Sequence, residues 1–378
     1  MKVLFLSAWY PNRYDEMSGN FIQKHAFAVS ACCEVKVLYV YADKNIDNQE
    51  IKTQNNAYFE EILIYYPSKN KIKGVFNFLK AYWIGFKILK HKGFQPNIVH
   101  VNVFTRTAVI AYLYKKMTKT PYVITEHWTR YLPQCRTYKG FFRKMATKIA
   151  AKNASAIMPV SKNLQIEMQK CGIKNANYLV VNNVVDDCFF EITKQPTQKK
   201  KRILHISSFK KEQKNVYGIL NAVKKLSLKR QDFEMVLIGI GEDWEDSVKY
   251  CKSLNFESQT IFFAGELQPQ EIAIWMSKSD FFVLFSRYEN APVVISEALA
   301  AGMPVISTNV GGIAEMLSPD NGILIDVNDE QKLLESIDFM LDNYQNYNAK
   351  QISENAKIYS YTSVSQKLYQ IYKKFSVN

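Results

Sequence analysis

The chain of 378 residues contains no run of about 18 uncharged apolar residues, so nothing in it reads as a membrane-spanning helix. Its start, MKVLFLSAWYPNRYDE, has one lysine before a brief apolar run and no small-residue cleavage site. It reads as a first buried strand rather than a signal peptide, and a cytoplasmic location is expected. The six cysteines (Cys32, Cys33, Cys135, Cys171, Cys188, Cys251) form no C-x-x-C pair and have no histidine at metal-ligand spacing, so reduced thiols are expected. Also missing are a zinc module, an RRM signature and an Arg-rich arm, and lysine greatly outnumbers arginine, which argues against nucleic-acid binding.

What is present is material for a core. Apolar residues make up 47% of the chain, which excludes global disorder. The length suits two domains of about 150–200 residues better than one. The formal charge of +14 is unevenly spread. Residues 1–190 hold 27 Lys and Arg against 12 Asp and Glu, a balance of +15, and residues 191–378 hold 22 against 23, a balance of −1. A basic first half points to an anionic surface, either lipid or nucleic acid.

Apolar runs at 2–8, 35–42, 98–104, 122–125 and 156–161 alternate with amphipathic segments such as 21–32 and 143–154. Buried parallel strands and crossover helices give that pattern. The polar stretch DDCFFEITKQPTQKKKR (186–202) lacks periodicity and reads as a linker. Strand-like runs then resume at 202–208, 234–241, 260–265, 281–286 and 304–309, and residues 361–375 read as a final amphipathic helix. The expected organisation is a doubly wound α/β domain over 1–185, a linker over 186–202, a second such domain over 203–360, and a C-terminal helix over 361–378. Open α/β sheets bind ligands beyond the carboxyl ends of their strands, which puts a site in a cleft between two facing domains.

The stretch SRYENAPVVISEALAAG (286–302) sets two acids, Glu289 and Glu297, into an apolar run. Pro292 suits a helix start and Gly302 a helix end. Glu289 then belongs to the loop after a strand, and Glu297 sits inside a helix, roughly 7.5 Å further along the axis than Pro292. The pair is not a proton-sharing dyad. Either both acids are solvated, or they grip two parts of one extended ligand. Three neighbouring features bear on the choice. Gly311-Gly312 lies between a strand and an expected helix, a turn whose N–H groups suit phosphate. Lys210, Lys211 and Lys214 follow the second domain's first strand, where cations pair with a diphosphate. Gly19 follows strand one in a loop that falls short of G-x-G-x-x-G.

Together these stretches resemble the GT-B-fold retaining glycosyltransferases of the group 1, glycogen-synthase-like family. SRYENAPVVISEALAAGMPVISTNVGGIAEML is similar to that family's E-x7-E signature and Gly-Gly turn, and weaker matches at 97–104, 125–131, 156–163 and 180–189 extend the likeness over nearly the whole chain. The resemblance implies two Rossmann-like domains facing a central cleft, with the C-terminal helix packing back toward the first. It implies transfer from a UDP- or GDP-sugar to a glycan or lipid-linked glycan in cell-surface polysaccharide or glycoconjugate synthesis. Glu289 would contact the donor sugar and support charge at its anomeric carbon. Glu297 would bind the ribose hydroxyls. Lys214, with Lys210 or Lys211, would neutralise the leaving diphosphate. His127 would lie near the donor sugar, and backbone around Gly19 and Gly312 would complete the anion site. Asn290, where the family commonly has Gly, lies by the sugar, and base recognition by backbone is expected near Gly265 to Leu267.

No Asp-x-Asp triplet occurs in the sequence, which fits a site that needs no metal or other cofactor, with lysines in the cation's place. A sugar-nucleotide epimerase on the same fold and a basic nucleic-acid-binding protein are the alternatives. Lys73, Lys80 and Lys87 recur every seven residues in an apolar segment (71–93), and residues 136–148 are basic with interspersed aromatics. Two helices packed on a sheet with lysines outward explain this, and so does docking on an anionic membrane; both can hold at once.

Overall fold

The computed structural model describes residues 1–377 apart from 105, 136, 196–199 and 258–259, and it does not describe the side chain of Lys71. The chain forms two compact units, Met1–Val184 with Tyr361–Asn378, and Val185–Ser360.

In the first unit the elements run β1 (Lys2–Ser7), α1 (Asn20–Ser30), β2 (Glu34–Asp43), β3 (Glu50–Asn55), β4 (Glu60–Pro67), α2 (Lys71–His91), β5 (Ile98–Asn102), α3 (Arg106–Thr118), β6 (Tyr122–Glu126), α4 (Phe141–Asn153), β7 (Ala156–Pro159) and α5 (Lys162–Lys170). The sheet order is β3-β4-β2-β1-β5-β6-β7. Only β3 runs antiparallel, paired to β4 at the edge. Every residue of β5 and β6 is buried, as strands covered on both faces should be. The order reverses between β1 and β5, so the loops leaving their carboxyl ends diverge and open a crevice.

The second unit runs β8 (Lys201–Ile206), α6 (Lys211–Lys214), α7 (Val216–Ser227), β9 (Phe233–Ile238), α8 (Trp244–Ser253), β10 (Ile261–Gly265), α9 (Pro269–Ser277), β11 (Phe281–Leu284), α10 (Val293–Ala300), β12 (Val305–Thr308), β13 (Gly322–Ile325), α11 (Glu330–Asn343) and α12 (Ala349–Ala356). Its strands are all parallel, in the order β10-β9-β8-β11-β12-β13, which reverses between β8 and β11. Two apolar clusters cover its two faces, one around Phe282 and Ile295, the other around Phe281 and Leu333.

The final helix α13 (Tyr361–Phe375) belongs to the first unit. Val364, Leu368, Ile371 and Tyr372 join the core formed with α1 and β1, and the Tyr372 hydroxyl lies 2.6 Å from Nδ1 of buried His100. The segment 186–202, expected as a linker, is built into the second unit wherever it is described; residues 196–199 lie outside the described residues. Asp187–Phe189 form a 3-10 turn, and Phe189 is fully buried with Leu204 and Ile295. Lys194 Nζ donates to the carbonyls of Met276 and Ser279 at 3.1 and 2.6 Å. The aromatic pair in DDCFFE was the signal against a free linker.

Candidate active site

In the second unit the reversal of strand order brings together the loop after β8 and the loop after β11. Their side chains meet. Lys214, at the end of α6, places Nζ 2.5 Å from Glu289 Oε1, with only 12% and 7% of the two side chains exposed. Gln213 donates from Nε2 to Glu289 Oε2 at 3.3 Å and to the Tyr288 carbonyl at 3.2 Å. Arg287 secures the two loops to each other. Its backbone N–H donates to the Gln213 carbonyl, and its guanidinium reaches the Lys211 carbonyl, Asn215 Oδ1 and Asn328 Oδ1 at 2.7–2.8 Å. Gln213, Arg287, Asn215 and Asn328 escape a sequence reading, because amides and guanidinium tying two loops together leave no spacing pattern. Arg287 beside Glu289 at a strand end was the one available hint.

Pro292 caps α10, and Gly302, at φ +70°, follows its end, as the sequence predicts. Glu297 on this helix is 8% exposed and Glu289 is 5% exposed. That removes the reading of two solvated acids, since carboxylates are seldom buried without a partner. Asn290 is buried beside Glu289. The Gly311-Gly312 turn differs from expectation. It opens a 3-10 turn of three residues, Ile313–Glu315, and the Gly312 N–H already donates to the Asn290 carbonyl at 2.7 Å. Gly311, at φ +56°, passes so close that a Cβ there would lie 1.7 Å from the Glu289 carbonyl oxygen. This turn shapes the Glu289–Asn290 backbone, and the Gly312 N–H is not free for phosphate.

The lysines separate. Lys210 pairs with Glu242 at 3.2 Å, and Lys211 lies over the Tyr217 ring at 4.3 Å, so of the three only Lys214 joins Glu289. Leu267 packs on the core beside Gly265, whose carbonyl accepts from the Gly239 N–H.

Gly19 and His127 belong to the first unit. Gly19, at φ +64°, precedes α1, and a Cβ there would come within 2.6 Å of the Trp9 carbonyl group, so only glycine allows this approach to the loop after β1. His127 follows β6, with its ring against Phe21 and His25 at centroid distances of 4.5 and 5.6 Å. Burial, with His25 and His100 near by, holds its imidazole well below the ordinary pKa, so the ring is neutral. Glu126, fully buried, accepts from the N–H groups of Phe104, His127 and Trp128 at 2.8–2.9 Å and fixes the loop that carries His127.

Two doubly wound α/β units, each with loops leaving the strand ends where strand order reverses, define the class of two-domain open-sheet proteins that bind ligands beyond the carboxyl ends of their strands. Residues 189–359 match the family model of the glycosyl transferases group 1, and residues 29–188 that of glycosyltransferase family 4. With the two matches together spanning most of its length, the chain belongs to the group 1 glycosyltransferases, of GT-B fold. It is 27% identical over 309 residues to an uncharacterised glycosyltransferase of Methanocaldococcus jannaschii, covering 81% of this chain and 82% of that one. It is 25% identical over 288 residues to the N-acetylgalactosamine-N,N'-diacetylbacillosaminyl-diphospho-undecaprenol 4-alpha-N-acetylgalactosaminyltransferase of Campylobacter jejuni, covering 73% and 75%. Among solved structures, sucrose-phosphate synthase from Thermosynechococcus elongatus shares the fold, with a TM-score of 0.79 at 16% identity over 99% of both chains.

Proposed function

We propose that this glycosyltransferase is a retaining, metal-independent enzyme that moves a sugar from a UDP- or GDP-sugar to a glycan or lipid-linked glycan. The observation that carries the reading is the buried Lys214–Glu289 pair where strand order reverses in the second unit. In the reaction the bond from the sugar's anomeric carbon to the diphosphate breaks, and the carbon gains oxocarbenium character. An acceptor hydroxyl forms the new bond on the same face, and its proton passes to an oxygen of the departing diphosphate. Glu289 supplies negative charge at the sugar. Lys214 has three N–H donors, of which Glu289 takes one, leaving two for the diphosphate. Glu297 takes the ribose hydroxyls, Asn290 lies by the sugar, and Lys210 or Lys211 exchanges its present contact for the diphosphate.

A second observation favours docking on an anionic membrane. On α2, Ile72, Phe76 and Trp83 are 74%, 68% and 54% exposed, and on α4 Phe141 and Phe142 are 75% and 78% exposed. Lys73, Lys80, Lys87, Lys144 and Lys148 are exposed on the same two helices, and one pocket is lined by both helices together, so they share a side of the unit. Apolar side chains interleaved with cations are what an anionic bilayer surface binds.

The test is a melting-temperature panel with UDP-, GDP- and ADP-sugars, followed by transfer assays. One of the first two classes should raise the melting temperature. Glu289→Ala should nearly abolish transfer, and Glu297→Ala should chiefly weaken nucleotide binding. Full transfer by Glu289→Ala would sink the assignment.

A further inference from the structure

The reversal of strand order in the first unit also forms a pocket, of about 450 Å³, between the ends of β1, β5 and β6 and helices α2 to α4. Three guanidinium side chains line it, Arg106, Arg130 and Arg143, and among the described residues no aspartate or glutamate does. Arg130 stands apart from the other two. It is 4% exposed and stacks on the Trp128 ring at 3.2 Å, yet among the described residues it makes no hydrogen bond and no ion pair. The nearby carboxylate of Glu126 is engaged by three backbone N–H groups and the Tyr131 hydroxyl. The Tyr82 hydroxyl on the pocket's wall is likewise buried without a hydrogen-bond partner among the described residues.

A buried guanidinium that makes no ion pair among the described residues, with Glu126 near by but already engaged and two more cations beside it, gains most from a multiply charged ligand. A phosphate offers three oxygens to the fork of an arginine and offsets more than one cation, whereas a carboxylate offsets only one. The remaining walls include Trp9 and Trp128, with ring centroids 4.9 Å apart, which give flat apolar faces to a sugar ring.

We infer that this pocket is a phosphate-binding subsite that takes the phosphorylated end of a saccharide, with Arg130, Arg106 and Arg143 on the anion and Trp9 and Trp128 along the sugar. The inference rests on the transferase reading and names the chemistry of its acceptor. The phosphate belongs either to a lipid-linked diphosphate or to a free sugar phosphate.

Calorimetric titration of the full chain with inorganic pyrophosphate, glucose 1-phosphate and geranyl diphosphate tests it. Wild type should bind, and Arg130→Gln should weaken binding about tenfold or more, as loss of a charged hydrogen bond does. Arg106→Gln and Arg143→Gln should each weaken it less. These two residues are exposed, so their variants decide the matter if Arg130→Gln does not fold. Tighter binding of geranyl diphosphate than of glucose 1-phosphate identifies the lipid-linked source, and the reverse order the free one. Binding unchanged in all three variants, or none of the probes bound by wild type, overturns the subsite. A melting-temperature shift with sugar nucleotides reads the second unit separately. If that shift is absent while arginine-dependent phosphate binding persists, the transferase reading falls and the subsite stands.

Discussion

The first unit, residues 1–184 with 361–378, carries 30 Lys and Arg against 10 Asp and Glu, a balance of +20, whereas the second, residues 185–360, carries 19 against 25, a balance of −6. The contrast is sharper than a division at residue 190, because α13 brings three lysines and no acid to the first unit while Asp186 and Asp187 go to the second. Both units are doubly wound, and both place loops where strand order reverses. They use charge differently there. The second unit pairs its charges, Lys214 with Glu289 in the site and Arg230 with Asp232, Asp338 and Asp342 away from it. The first unit gathers three arginines around a pocket, and Arg130 there makes no ion pair among the described residues. Paired charge holds a geometry, and unmatched charge awaits a ligand.

The comparison breaks most sharply at Lys214. Lys214→Met leaves Glu289 buried without its cation and should cost the second unit about 3–5 kcal/mol, with transfer lost as well. Lys214→Met combined with Glu289→Gln removes both charges and should recover most of that stability but none of the activity. Hydrogen exchange read on peptides from residues 185–360 measures the first effect. Equal protection in the single and double variants would mean that the pair does not hold the loops.

Acid should separate the units next. His25 is held at about pKa 4 by burial, and His100 and His127 are held well below their ordinary value by burial, with His25 near both and His100 near His127. The second unit has one such residue, His205, also at about 4. A histidine with a depressed native pKa binds its proton in the unfolded chain first, so native stability is lost as pH falls from about 6.5 toward 4. Glu126, raised by burial, opposes this within the first unit. Three imidazoles against one carboxyl still favour a loss of stability in the first unit that is larger than in the second. Exchange protection compared at pH 7 and pH 5 checks it, and equal losses in the two units would contradict it.

These differences mark where sequence reading succeeds. The ten strands expected from apolar runs are present, because strands buried on both faces are almost continuously apolar. Glu289 in a loop and Glu297 in a helix follow from Pro292 and Gly302, residues whose backbone limits are local. Three strands go unseen. β3 is a polar, exposed edge, β13 has four residues, and β4 follows β3 directly without a helix between them, which breaks the alternation. That the Gly312 N–H is taken is invisible in the sequence, because the Asn290 carbonyl that accepts it comes from another loop. Arg130 lies within the stretch 125–131, yet its burial is invisible there, since arginine is a surface residue by default. Backbone constraints are written locally, while the pairing state of a charge depends on tertiary contacts.

The smallest expected effect tests whether the first unit's excess charge is used on its surface as well as in its pocket. Lys73, Lys80 and Lys87 stand exposed on α2, and Lys87 Nζ lies 3.5 Å from the Trp83 ring centroid. An anionic bilayer attracts each cation by about 1 kcal/mol, and the attraction fades with salt. Replacing all three with glutamine should therefore reduce co-sedimentation with phosphatidylserine vesicles at low salt and matter less at high salt. Phe141→Ser with Phe142→Ser should reduce it at both, because apolar insertion is not screened. If both sets of variants sediment like wild type, α2 and α4 have no docking role.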